Sequence, residues 1–116
     1  MIVEDNEDAA ELLSALLESR GHKLRVAYSG DEALAQLATE IPDVVICDIG
    51  LPGMSGYDFA NIVRDDPKLR SLFLLALSGY SQPEDHERSR EAGFDNHLVK
   101  PVDFATLDSI LRSLDR

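Results

Sequence analysis

Three short runs in this chain, "MIV" at 1–3, "VVIC" at 44–47 and "LFLLAL" at 72–77, are apolar nearly throughout instead of alternating with polar residues. Runs this short suit strands better than buried helices, and a strand with one wet face would alternate. The pattern therefore predicts strands covered on both faces, as in a parallel sheet. "LRVAY" at 24–28 and "LV" at 98–99 read as two more. Amphipathic segments lie between the runs, with no repeat, low-complexity tract or linker. Strands alternating with helices through short right-handed crossovers predict a doubly wound α/β domain with five parallel strands and five helices. Ligands of such a fold lie beyond the carboxyl ends of its strands.

The helical segments carry their own punctuation. Ala9, Leu12, Leu13, Leu16 and Leu17 make one stripe that stops at Gly21, a residue suited to a helix C-terminus. Ser29 with Glu32, and Ser55 with Asp58, have the spacing of N-terminal capping pairs. Phe104, Leu107, Ile110, Leu111 and Leu114 share one face of a last docking helix. Residues 84–93, "EDHERSREAG", offer almost no apolar stripe, so a helix there is weakly anchored.

With 116 residues and 44% hydrophobic content, the chain is expected to form one domain over 1–116 with its own core. Its 22 Asp and Glu against 11 Lys and Arg give a formal charge of −11, which disfavours direct contact with nucleic acid or anionic lipid. No apolar run reaches transmembrane length and no signal core is present, so neither membrane insertion nor export is expected. The one cysteine, Cys47, reads as a small buried hydrophobe in a reducing, cytoplasmic setting. His22 and His86 read as solvated surface residues.

Four of the five expected strands end in a residue that can ligate or react: Glu4 and Asp5, Asp48, Ser78, and Lys100. In a parallel sheet these meet at one edge. Three carboxylates there repel one another unless a hard cation joins them, and Mg²⁺ prefers oxygen donors of this kind. A carboxylate can also attack a phosphoryl group once the repulsion between two anions is offset. In that setting Lys100 offers a second positive charge and Ser78 a hydroxyl donor. Taken singly, Asp48 is an ordinary turn residue, Glu4 and Asp5 are helix caps, and Lys100 and Ser78 are loop residues. Their shared edge favours a common task.

These residues resemble the receiver domain of bacterial two-component response regulators and hybrid histidine kinases, over essentially the whole chain. The resemblance rests on "VEDN" with Glu4 and Asp5, "DIGLPGMSG" with Asp48, "ALSG" with Ser78 and "LVKP" with Lys100. It implies a sheet in the order 2-1-3-4-5, a phosphoacceptor at Asp48, and Mg²⁺ (or Mn²⁺) held by Glu4, Asp5, Asp48 and the Gly50 carbonyl. It further implies catalytic roles for Lys100 and Ser78, a cis Lys100–Pro101 bond, and an influence of Gly50 and Tyr80 on phosphoryl lifetime. The partners implied are a histidine kinase or histidine phosphotransfer protein upstream, and a downstream protein on the 84–116 face. Such a domain is a switch rather than an enzyme, with self-catalysed phosphorylation and slow autodephosphorylation.

There are departures. The first strand has three residues before Glu4, fewer than the family usually places there, leaving a clipped start or a frayed strand. His97 stands where many receivers carry a rotating Tyr or Phe, and it reads equally as switch and as filler. "GFDNHLVKP" leans toward receivers attached to hybrid kinases. Among alternatives, a Mg²⁺-dependent aspartyl-phosphate phosphatase of the haloacid dehalogenase type wants a second Asp where Gly50 stands. A nucleotide or flavin module wants a phosphate-cradling loop where "EDNED" stands. A phosphorylation-independent adaptor has no need of this residue set.

Overall fold

The computed structural model describes residues 1–79 and 83–114. The chain runs β1 (Ile2–Val3), α1 (Glu7–Glu18), β2 (Val26–Ala27), α2 (Gly30–Leu37), β3 (Val44–Asp48), α3 (Gly56–Asp65), β4 (Phe73–Ser78), α4 (Pro83–Ala92), β5 (Asn96–Val99) and α5 (Phe104–Ser113). The strands form one parallel sheet in the order β2-β1-β3-β4-β5. The α/β class, the strand count and the strand order expected from the sequence all hold.

Successive residues of a strand point to opposite faces, and here both faces are covered. Val3, Val45, Cys47, Leu74 and Ala76 pack on one side with Ala33 and Leu37 of α2, Phe59, Ala60 and Val63 of α3, and Ala92 of α4. Ile2, Ile46, Leu75 and Leu77 pack on the other with Leu17 of α1 and Leu107 of α5. This two-sided burial is why the inner runs need no polar alternation.

Local chemistry sets the helix ends. Asn6 caps α1 by accepting from the Ala9 N–H at 3.0 Å, and Ser29 caps α2 by accepting from the Glu32 N–H at 3.0 Å. Ser55 and Asp58 form a reciprocal capping box at the start of α3, and Asp103 caps α5. Gly21 and Gly93, at φ +89° and +114°, turn the chain after α1 and α4 in a conformation that side chains disfavour.

Several boundaries move. β2 pairs only at Val26 and Ala27, because β1 supplies just Ile2 and Val3 as ladder partners. β3 and β4 run one residue further, so Asp48 and Ser78 belong to the strands themselves. β5 begins at Asn96, so His97 is a strand residue opposite Ala76. The α1 stripe also changes. With Asn6 fixing the helix start, Ala10 and Leu17 are buried and Leu13 packs on the core, whereas Ala9 is exposed and Leu12 and Leu16 are 64% and 39% exposed. The five-residue stripe had spanned two faces of the helix.

The middle of the chain is tied together by Arg64 of α3. Its guanidinium donates to the carbonyls of Gly93, Arg70 and Leu72 and pairs with Asp95 at 2.8 Å. Asp95 in turn accepts from the Leu74 N–H, so one side chain links α3 to the entries of β4 and β5.

Candidate functional site

The parallel sheet brings the ends of β1, β3, β4 and β5 to one rim. Asp48 closes β3 and is only 8% exposed; Glu4, just past β1, is 6% exposed. Lys100, just past β5, donates from Nζ to Glu4 Oε1 and to Asp48 Oδ2, both at 3.1 Å. The other Asp48 oxygen, Oδ1, accepts from the Gly50 N–H at 3.0 Å. Ser78 ends β4 and is buried, and its carbonyl accepts from the Lys100 N–H at 2.7 Å, which fixes the height of Lys100 on the rim. The Lys100–Pro101 peptide bond is cis, as the resemblance implied.

Asp5 is exposed, but Glu4, Asp5 and Asp48 each offer a carboxylate oxygen within 4.8 Å of the others. The electrostatics match that crowding. Burial, followed by the Asp48 carboxylate beside it, pushes Glu4 above its usual range despite the bond from Lys100. Burial would lower Lys100, but its bonds to Glu4 and Asp48 and their charges outweigh this and hold its pKa up. Cys47 is raised by burial, then by Asp48 and Glu4, so it stays a packed thiol. A set of hard oxygen donors sharing one lysine is a site that a divalent cation fits, with charge to offset and water able to complete an octahedron.

The turn after β3 depends on close approach. The Gly56 N–H donates to the Ile49 carbonyl at 3.0 Å, and a Cβ on Gly56 would lie 2.7 Å from Ile49 Cα and 2.8 Å from the Asp48 carbonyl oxygen. Beside this turn opens a cleft of about 390 Å³ between Ile49, Gly50, Tyr57, Asp85 and Arg88. The Arg88 guanidinium covers the Tyr57 ring at 4.3 Å and joins α3 to α4 across it. A larger hollow of about 1020 Å³, with Lys23, Val44 and Arg70 among its walls, includes none of the rim residues.

Glu4, Asp5, Asp48, Gly50 and Lys100 are thus brought together, with Ser78 on the same rim. His97 is placed elsewhere: its ring lies under α4, with Nδ1 2.8 Å from Ser89 Oγ and the His86 ring stacked on it at 4.1 Å. Tyr80 lies outside the described residues. His86 is exposed, as expected, though its ring stacks on His97; His22, expected as solvated, is instead half-buried, with Nε2 at 3.1 Å from Asp108, which also pairs with Arg112. Asp108 was missed altogether, because on the face of α5 it looks like an ordinary polar position.

A family model described as "response regulator receiver domain" matches residues 1–112. The polar-differentiation response regulator DivK of Brucella ovis is 35% identical over 102 residues, covering 88% of this chain and 83% of that protein. The receiver domain of a signal transduction histidine kinase from Syntrophus aciditrophicus superposes with a TM-score of 0.90 at 34% identity, covering 97% of this chain and 86% of that one. A putative response regulator from Chloroflexus aurantiacus gives 0.92 at 34% identity, covering 97% and 93%. Among the described residues no helix is long and apolar enough to cross a membrane.

Proposed function

The chain belongs to the response regulator receiver domain family, and from that membership we propose that residues 1–116 form a cytoplasmic phosphorelay switch with Asp48 as phosphoacceptor. The donor is a phosphohistidine on a histidine kinase or histidine phosphotransfer protein. One observation carries the proposal: Lys100 bridges Glu4 and Asp48 where three carboxylate oxygens lie within 4.8 Å.

The Asp48 carboxylate attacks the phosphorus, an acyl phosphate P–O bond forms, and the P–N bond breaks with its electron pair leaving on the donor imidazole. Glu4, Asp5, Asp48 and the Gly50 carbonyl would hold Mg²⁺ or Mn²⁺, which would supply positive charge to offset repulsion between carboxylate and phosphoryl oxygens. Lys100 exchanges part of its hold on Glu4 and Asp48 for the new phosphoryl charge. Ser78 donates its hydroxyl to the same group, and Gly50 and Tyr80 govern how readily water reaches it. Because Ser78 ends β4 and the chain continues from it into α4, a pull on Ser78 acts on α4 and on His97 beneath it. The face built from residues 84–116 then presents a changed surface to a downstream protein. DivK and the Syntrophus aciditrophicus receiver, each similar to this chain over most of its length, support a signalling role.

Labelled phosphoryl transfer from a phosphohistidine donor tests the proposal. The label should appear on the chain only with Mg²⁺ or Mn²⁺ and be released by hydroxylamine, which cleaves acyl phosphates. A label that survives hydroxylamine, or one acquired equally in a chelator, would refute it.

A further inference from the structure

Beneath α4 lies an arrangement that the phosphoacceptor chemistry does not use. His97 Nδ1 is 2.8 Å from the hydroxyl of Ser89, which is 1% exposed, and the His86 ring lies over His97 with ring planes 23° apart. His97 Nε2 is buried and has no hydrogen-bond partner among the described residues. If Nδ1 accepts the Ser89 proton, Nε2 carries a buried N–H with no acceptor. If Nδ1 donates, Nε2 is a buried lone pair with no donor. A second proton makes matters worse, placing an imidazolium with one unsatisfied N–H against another imidazole.

We propose that the His86–His97 stack is a proton-operated latch, which closes α4 onto β5 when the His97 ring is neutral and releases it on acidification, without phosphorylation. The helix it holds is easily moved: Ser89 and Ala92 are the only buried residues of α4 among those described. The charged surroundings agree. Burial first, then His86, holds His97 below its ordinary 6.5, while Asp85 on α4 pulls weakly the other way. From β4 the register neighbour is Ala76, which carries no charge, and the Tyr57 ring of α3 is engaged with Arg88. A histidine whose closed-state value is lowered takes its proton more readily once the latch is open. The latch is therefore at full strength above 6.5 and weakens as pH falls below that value.

The inference stands on the packing of the unphosphorylated chain, so it can fail while Asp48 chemistry survives, and the reverse. Imidazole resonances followed by NMR should give a His97 midpoint below 6.5, moving upward in His86→Gln. Amide protection over residues 84–92, corrected for intrinsic exchange, should fall by up to about tenfold between about pH 7.5 and about pH 5.5. The fall should be absent in His97→Phe, which keeps the ring shape without the proton. A His97 midpoint at or above 6.5, one unmoved by His86→Gln, protection that does not change with pH, or an equal fall in His97→Phe would each overturn the latch.

Discussion

Glu4 is buried and lies beside Asp48, and the single charge of Lys100 does not offset both effects. The raised pKa of Glu4 means that the folded state binds its proton more tightly than the unfolded chain does. The fold is therefore unpenalised by Glu4 below 4.5 and loses stability as pH rises through the raised value. Glu4→Gln should accordingly stabilise the metal-free protein at neutral pH, by about 1 kcal/mol or about 4 °C in Tm. A lower melting temperature in the metal-free variant would contradict this account of the rim. Why Glu4, Asp48 and Lys100 are legible in the sequence is also physical: each ends a short apolar run, and a parallel sheet gathers run ends. His22 and Asp108 are not, since their contact joins positions 86 residues apart and neither breaks a local pattern.

At the level of elements, the β3–α3 turn and α4 lie at opposite extremes of constraint. Gly56 has backbone on two sides of where a side chain would stand. Gly56→Ala should cost about 1–3 kcal/mol in urea unfolding, because Ile49 or the Asp48 carbonyl must give way. A neutral result would mean that the turn has slack and does not position Asp48. By contrast α4 buries little, and its amides over 84–92 should exchange faster than those of β3, Val44–Asp48; equal protection would remove the case for α4 as the moving part. The weakness of α4 could be read directly from "EDHERSREAG", because a missing apolar stripe is a local property. The inward face of α1 could not, since Ala9, Leu12 and Leu16 are as apolar as the residues that are buried. Only the Asn6 cap and the sheet beneath decide which side turns in. The ring stack of His86 on His97 escaped for a similar reason: periodicity places residues on faces but does not say which faces meet.

For the whole molecule, on the proposal that Glu4, Asp5 and Asp48 hold a divalent cation, that cation stabilises the folded state, which gathers the three carboxylates at one rim. At about ten times its dissociation constant Mg²⁺ should add about 1.4 kcal/mol, seen as a rise of several degrees in Tm. Glu4→Gln should lose most of that gain, which largely cancels its metal-free advantage; an undiminished gain would place the cation elsewhere. The most direct test of the central claim is the intact mass of the chain after exposure to acetyl phosphate and Mg²⁺. We predict a gain of a single phosphoryl group in the native sequence and none in Asp48→Asn. A chain that gains no mass, or an Asp48→Asn variant that gains it equally, would contradict the assignment of Asp48 as the phosphoacceptor.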